Sequence, residues 1–264
     1  MFDVASLSDL EKELYQEMIQ SIENVKESKT MGISFSGGVD SSLLAKITKD
    51  LGYDVVLLTM GFEGSHDVEF SKRMAKTLEM RHEVELISEN MFSDVARKIW
   101  DKINVDNLSW NENCIAFYYV AKLAKEHNIY KVITANGIDE LFCGYNSYRD
   151  FIPEGEETVL GIMNEKLDNE IRMMKAVNQI TSEFSVQIAQ PFLLEKFVEF
   201  SKTIPLEYKI KDKNDLARKH IIRKLALSIG VPEESALKQK KAMQYGSLIH
   251  KNFLKVKKTW NMSF

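Results

Sequence analysis

Cysteine is scarce: Cys114 and Cys143 are the only two in 264 residues, far apart and in no C-x-x-C pair. That pattern argues against a disulfide scaffold and against a zinc site. Long apolar runs are missing as well. No stretch approaches the roughly 18 consecutive apolar residues of a membrane helix, and Met1-Phe2-Asp3-Val4 has no basic region leading into an apolar run. A cytoplasmic chain with no membrane partner is expected. Neither charge sign dominates, because 35 Lys+Arg against 39 Asp+Glu leave a formal net charge of −4. Nothing pulls the whole molecule toward nucleic acid or an anionic membrane, although the lysines from Lys238 to Lys258 could form a local basic patch. Repeats and low-complexity tracts are absent, which removes solenoids and long linkers. The five histidines show no metal-ligand spacing.

What is present is 44% hydrophobic content, enough for a full core. Leu10, Leu14, Met18, Ile22 and Val25 recur at helical spacing behind a Ser8/Glu11 capping box, so residues 1–29 read as an N-terminal helical element. From 30 to 150 the pattern alternates: strands at 31–35, 54–59, 83–86 and 131–134, with helices from Asp40, from Asp67, over 90–100 and over 113–127. Strands separated by helices indicate an α/β fold with a parallel sheet covered on both faces. From 151 to 264 the chain reads as helical, with a long helix over 156–181, breaks at Pro191, Pro205 and Pro232, and no convincing strand.

The run Ser36-Gly37-Gly38-Val39-Asp40-Ser41-Ser42 lies between a strand and a helix. Two glycines let backbone amides approach an anion, the helix start aims unsatisfied N–H groups at the same point, and Asp40 offers a hard oxygen for Mg²⁺. The Walker A spacing and its lysine are missing. The run resembles the S-G-G-x-D-S pyrophosphate loop of the N-type ATP pyrophosphatases, or PP-loop proteins, which cut ATP between its α and β phosphates.

A second cluster, from Thr134 through Asn136, Asp139 and Glu140 to Tyr145, follows the strand Val132-Ile133. In a parallel sheet both clusters emerge at one edge, where Asp40 and Asp139 could share Mg²⁺. Asp139 and Glu140 could also merely cap a short helix. The string resembles the G-[DE]-G-[AS]-D-E-[LIV]-F-G-G-Y signature of the synthetase domain of asparagine synthetases. Met60-Gly61 through Asp67, Pro191-Phe192-Leu193, Ile204-Pro205, Lys219 to Arg223 and Lys238 to Lys241 then follow in that family's order.

The resemblance implies an AMP-forming ligase that uses ATP and Mg²⁺ to adenylate a small acid, aspartate first, and passes the acyl group to ammonia or an amine. It makes Ser36, Gly37, Gly38, Asp40, Ser41 and Ser42 the pyrophosphate site. Phe35, Met60, Thr134 and Ala135 would line the adenosine, largely through backbone, and Gly61 and Gly137 would belong to the same nucleotide site. Lys219 and Arg223, one helical turn apart, would face the phosphates, and Lys240 would stabilise charge as the acyl-adenylate forms. Lys240 could otherwise belong to a solvated charged face.

Departures from the pattern bear on the acid and the nucleophile. Asn136 stands where the family has an acidic residue, and an amide accepts no proton as a carboxylate does. Ala189 and Leu194 replace an arginine and an aspartate, and Cys143 takes a glycine position. The family's glutaminase domain begins with a cysteine directly after methionine; here Phe2 follows Met1, so ammonia is expected free or from a separate glutaminase subunit. Two other readings share the loop: a PP-loop tRNA-modifying enzyme, and an ATP- or AMP-binding subunit inactive without a partner.

Overall fold

A computed structural model describes residues 7–260. The first helix, α1 (Asp9–Asn24), starts at Ser8 with the expected capping box: Glu11 N–H donates to Ser8 Oγ, and Ser8 N–H donates to Glu11 Oε2 at 3.1 Å. The chain then alternates through β1 (Thr30–Ser34), α2 (Val39–Asp50), β2 (Asp54–Gly61), α3 (His66–Thr77), β3 (Arg81–Leu86), α4 (Glu89–Ile103), α5 (Leu108–Glu126) and β4 (Lys131–Ile133). Short helices α6 (Ile138–Leu141) and α7 (Tyr148–Phe151) lead to the 26-residue α8 (Glu156–Thr181). Then come β5 (Gln187–Ala189), α9 (Glu195–Thr203), α10 (His220–Ser228), α11 (Glu233–Ala236), α12 (Met243–Gly246) and α13 (Ile249–Thr259).

All five strands are parallel, in the order β3-β2-β1-β4-β5. From β1 the chain steps outward to β2 and β3, then crosses over to β4 and β5 on the other side. The reversal between β1 and β4 opens a crevice at their carboxyl ends, where ligands of open α/β sheets bind. Side chains alternate between two cores. Met31, Ile33, Val55, Leu57 and Ile133 face the cluster with α1, α2 and α10, whereas Val56, Leu58, Met60 and Val132 face that of α4, α5, α8 and α13.

Sequence periodicity misses one strand. The expectation of no strand beyond residue 149 is corrected by β5, which pairs Val132 with Ile188 and Ile133 with Ala189. Three residues are too few for alternation to register. The outer edge of β5 is closed by a side chain: Asn178 Nδ2 donates to Ile188 O at 2.9 Å, and Ile188 N–H donates to Asn178 Oδ1 at 3.0 Å. The C-terminal third therefore supplies a sheet strand as well as helices. Two starts also shift: α5 begins five residues before the expected Asn113, and Ser65 holds the cap position of α3 without a side-chain cap bond.

Candidate active site

The glycine-serine run forms the turn between β1 and α2. Phe35 N–H donates to Leu58 O at 2.9 Å, keeping the chain in the sheet up to the turn. Gly37 then adopts φ 75°, and a Cβ there would stand 2.8 Å from Phe70 Cδ1, so both conformation and space require glycine. Ser41 Oγ accepts from Ser36 N–H at 3.3 Å and donates to Gly38 O at 3.2 Å. Ser42 is fully buried and points the other way: its hydroxyl donates to Gly37 O at 3.1 Å and accepts from Ser235 Oγ at 2.8 Å. Ser36, Gly38, Asp40 and Ser41 face the crevice, while Gly37 and Ser42 form the turn behind it.

Charge concentrates where the two sheet-edge turns meet. Lys219, only 1% exposed, starts α10 with φ 51° and sends Nζ to 2.6 Å from Asp40 Oδ2 and 2.5 Å from Asp139 Oδ1. Lys240 Nζ contacts the other oxygen of Asp139. Burial alone would raise the Asp139 carboxyl, but the two ammonium groups outweigh it and hold Asp139 below the usual carboxylate range. Lys240 is correspondingly held above its ordinary value, with burial overcome by Asp139 and Asp40. The Gly144 backbone runs directly beneath the pair, since a Cβ there would fall 1.9 Å from Asp139 Oδ1 and 2.3 Å from Lys219 Cε. Glu140 performs the capping role, accepting from Gly137 N–H at 3.2 Å and from Tyr145 OH at 2.5 Å.

Arg223 is buried, and its guanidinium donates to the carbonyls of Ala217, Arg218, Ala236 and Lys238. It braces the segment that carries Lys240, and its charge still borders the crevice. Cys143 is fully buried with φ 56°, the backbone state that explains why glycine suits this position, and burial pushes its thiol up to about 12.

Asp40, Asp139, Glu140, Lys219, Arg223 and Lys240 line one cavity of about 510 Å³. Phe35, Met60, Thr134 and Ala135 border it, while Gly61 and Gly137 lie behind its wall. Thr59 Oγ1 donates to Phe35 O at 2.6 Å and lies 2.8 Å from His82 Nε2. Burial pushes His82 down to about 4, and because the one Thr59 hydroxyl proton goes to Phe35 O, the ring nitrogen is the donor in their contact. The opposite wall comes from two helix stripes, Ser109, Asn113 and Phe117 on α5 and Glu165, Lys166, Asn169, Glu170 and Met173 on α8. Asn136 reaches that wall: its amide donates to Glu170 Oε1, and its oxygen is bonded to Thr134 Oγ1. Burial first, and then the Glu140 charge, push the Glu170 carboxyl up to about 8. A carboxyl thus stands beside the amide, supplied by α8.

Sequence reasoning missed Glu170 as a cavity residue and gave Lys238 and Tyr145 no site role beyond their place in the motifs. For Glu170 the available signal was the i, i+3, i+4 spacing of Lys166, Asn169 and Glu170 on α8. Asp67, read as a helix start, is buried and borders the cavity, and burial raises its carboxyl against the pull of His66 and Lys238. No helix among the described residues is long and apolar enough to cross a membrane, and none of them form a cluster of three or more His, Cys, Asp or Glu able to hold a metal.

A parallel sheet with a glycine-serine turn and a facing carboxylate at its switch point defines an α/β fold of the PP-loop class. Comparison with known proteins narrows that class, because the asparagine synthase family model matches residues 13–160 and 169–260. The chain belongs to the asparagine synthase family. A Methanocaldococcus jannaschii protein assigned as a glutamine-hydrolyzing asparagine synthetase is 29% identical over 92% of this chain and 50% of its own length. Glutamine-hydrolyzing asparagine synthetase B of Escherichia coli is 25% identical over 87% of this chain and 44% of its own length. This chain thus spans about half the length of these relatives. Among solved structures, NMN synthetase from Francisella tularensis aligns with 93% of this chain and 78% of its own at 14% identity, with a TM-score of 0.48.

Proposed function

We propose that this protein is an ATP-dependent, AMP-forming ligase: it adenylates a small carboxylic acid and transfers the acyl group to ammonia or an amine. The observation that carries the reading is the cluster in which Lys219 and Lys240 meet Asp40 and Asp139 at the mouth of the glycine turn. ATP would lie with its base beside Phe35 and Met60 and its phosphates against the turn amides. A carboxylate oxygen of the acid attacks the α-phosphorus and pyrophosphate leaves. The nitrogen nucleophile then attacks the acyl carbon, AMP leaves, and the nitrogen gives up a proton. Lys240, on the segment braced by Arg223, stands where charge develops at the α-phosphate. Asn136 orients Glu170, whose carboxyl exchanges its proton near neutral pH and suits the role of acceptor.

The residues present fit Mg²⁺. Asp40 Oδ1 is buried with no hydrogen-bond partner, and Asp139 adds a second hard oxygen donor. Two carboxylates with substrate phosphates and waters are an ordinary set for this ion. Asp40 and Asp139 would hold it, and when bound it neutralises phosphate charge.

Family membership makes aspartate the first acid to test. The test is AMP and pyrophosphate release from ATP with Mg²⁺, with and without an acid and with and without ammonium. Release that depends on an acid is expected. Nucleotide binding with no release under any acid would overturn the ligase reading in favour of a binding subunit.

A further inference from the structure

The cavity is electrically divided. Its phosphate end carries Lys219, Lys240, Arg223, Lys238 and Lys241 against Asp40, Asp139 and Asp67, a cationic excess suited to a polyanion. The end walled by α6 and α8 has more carboxyl groups than cations: Glu140, Glu165 and Glu170 against Lys166, with Lys240 reaching Glu140 and Glu170 from its loop. Lys166 is itself drawn to aromatic faces, its Nζ lying 5.1 Å from the Tyr145 ring centroid and 5.8 Å from that of Tyr148. Arg223, the one arginine among the described residues that line the cavity, donates to four carbonyls at the other end. A second carboxylate on the acid would therefore meet carboxylates without the bidentate partner that such a group needs.

Glu140 and Glu170 are both buried, but both Glu140 oxygens already accept from Gly137 N–H and Tyr145 OH, whereas Glu170, 6% exposed, has one oxygen held by Asn136. We infer that the acid adenylated here is an amino-substituted monocarboxylic acid whose ammonium group lies against Glu170, with Glu165 at the rim, and not a dicarboxylic acid. This rests on the adenylation reading above and specifies its substrate. Glu140 and Asp139 from α6 and Lys240 from its loop also act on Glu170, and Glu165 and Lys166 share its helix face. Pairing with an ammonium needs Glu170 ionised, so the acid should bind more tightly as pH rises from 6 toward 8.5.

The test is ATP–pyrophosphate exchange, which reports adenylation before any amine attacks. Glycine, β-alanine and 4-aminobutyrate would be compared with propionate, aspartate and succinate. At least one amino-monocarboxylate is expected to give a KM about tenfold or more below those of aspartate and succinate. Glu170→Gln should raise that KM about tenfold and flatten its pH dependence, with the KM for ATP unchanged. Glu165→Gln, at an exposed position, should raise it by a smaller factor and tests the wall should Glu170→Gln fail to fold. Exchange driven best by aspartate or succinate would overturn the charge inference and leave adenylation standing. Exchange with none of the acids, while ATP still binds, would overturn the adenylation reading and this inference with it.

Discussion

Replacing Lys219 with methionine should destabilise the protein by about 3 kcal/mol at pH 7. Methionine keeps much of the length and apolar bulk of the side chain and deletes the ammonium 2.6 Å from Asp40 and 2.5 Å from Asp139. Breaking a buried pair from one side costs roughly 3–5 kcal/mol, because the charge left behind is uncompensated. Here the lower end applies, since Lys240 still neutralises Asp139 and the Asp40 side chain is 15% exposed. With a urea m-value of about 3 kcal/mol/M, the midpoint should fall by about 1 M. The deficit should also depend on pH. In the native protein the Asp139 carboxyl is depressed, so its stabilisation is present above the unfolded value near 3.9 and fades only as pH falls through the folded value. In the variant Asp139 keeps one ammonium of the two that hold it down and still faces the Asp40 carboxylate, which raises its affinity for a proton. Protonation then relieves the repulsion, and the deficit should shrink between pH 7 and pH 4. A cost below about 1 kcal/mol, or one equal at both pH values, would refute the picture of Lys219 as a buried bridge.

Three further outcomes follow from neighbouring residues. Lys240→Ala should slow pyrophosphate release about a hundredfold or more with the fold retained by circular dichroism, and an unchanged rate would remove Lys240 from the chemistry. Gly144→Ala places a Cβ 1.9 Å from Asp139 Oδ1 and 2.8 Å from Asp139 Cα, so backbone must move. A loss of about 1–3 kcal/mol in a urea melt is expected, and an unaltered midpoint would mean that the turn yields freely. His82 has a folded pKa near 4, below its usual value, so the native state resists its protonation and stability drains away as pH falls from about 6.5 toward 4. His82→Gln can still donate to Thr59 and should flatten that decline, whereas an identical pH profile would show that His82 contributes nothing to it.

The glycine turn and the first four strands were legible because their causes are local: a strand, two glycines and a helix start occupy adjacent residues. Other features were hidden because their causes are distant or too short. Three residues of β5, bracketed by the Asn178 amide, leave no periodic trace. Ser41 and Ser42 look equivalent in the string, yet successive helical residues point about 100° apart, so one faces the crevice and the other locks onto Ser235. Lys219 reads as a phosphate contact, but only the folded chain reveals that it ties together two carboxylates from separate sheet-edge turns. Asn136 is the most instructive case. As a sequence position it reads as the loss of an acid, and with it the loss of a proton acceptor. In the fold its amide holds Glu170, 34 residues further on, so the carboxyl is supplied by α8 instead of the turn. A substitution that removes a charge from a turn therefore says little about the site's chemistry until the helix facing that turn is known.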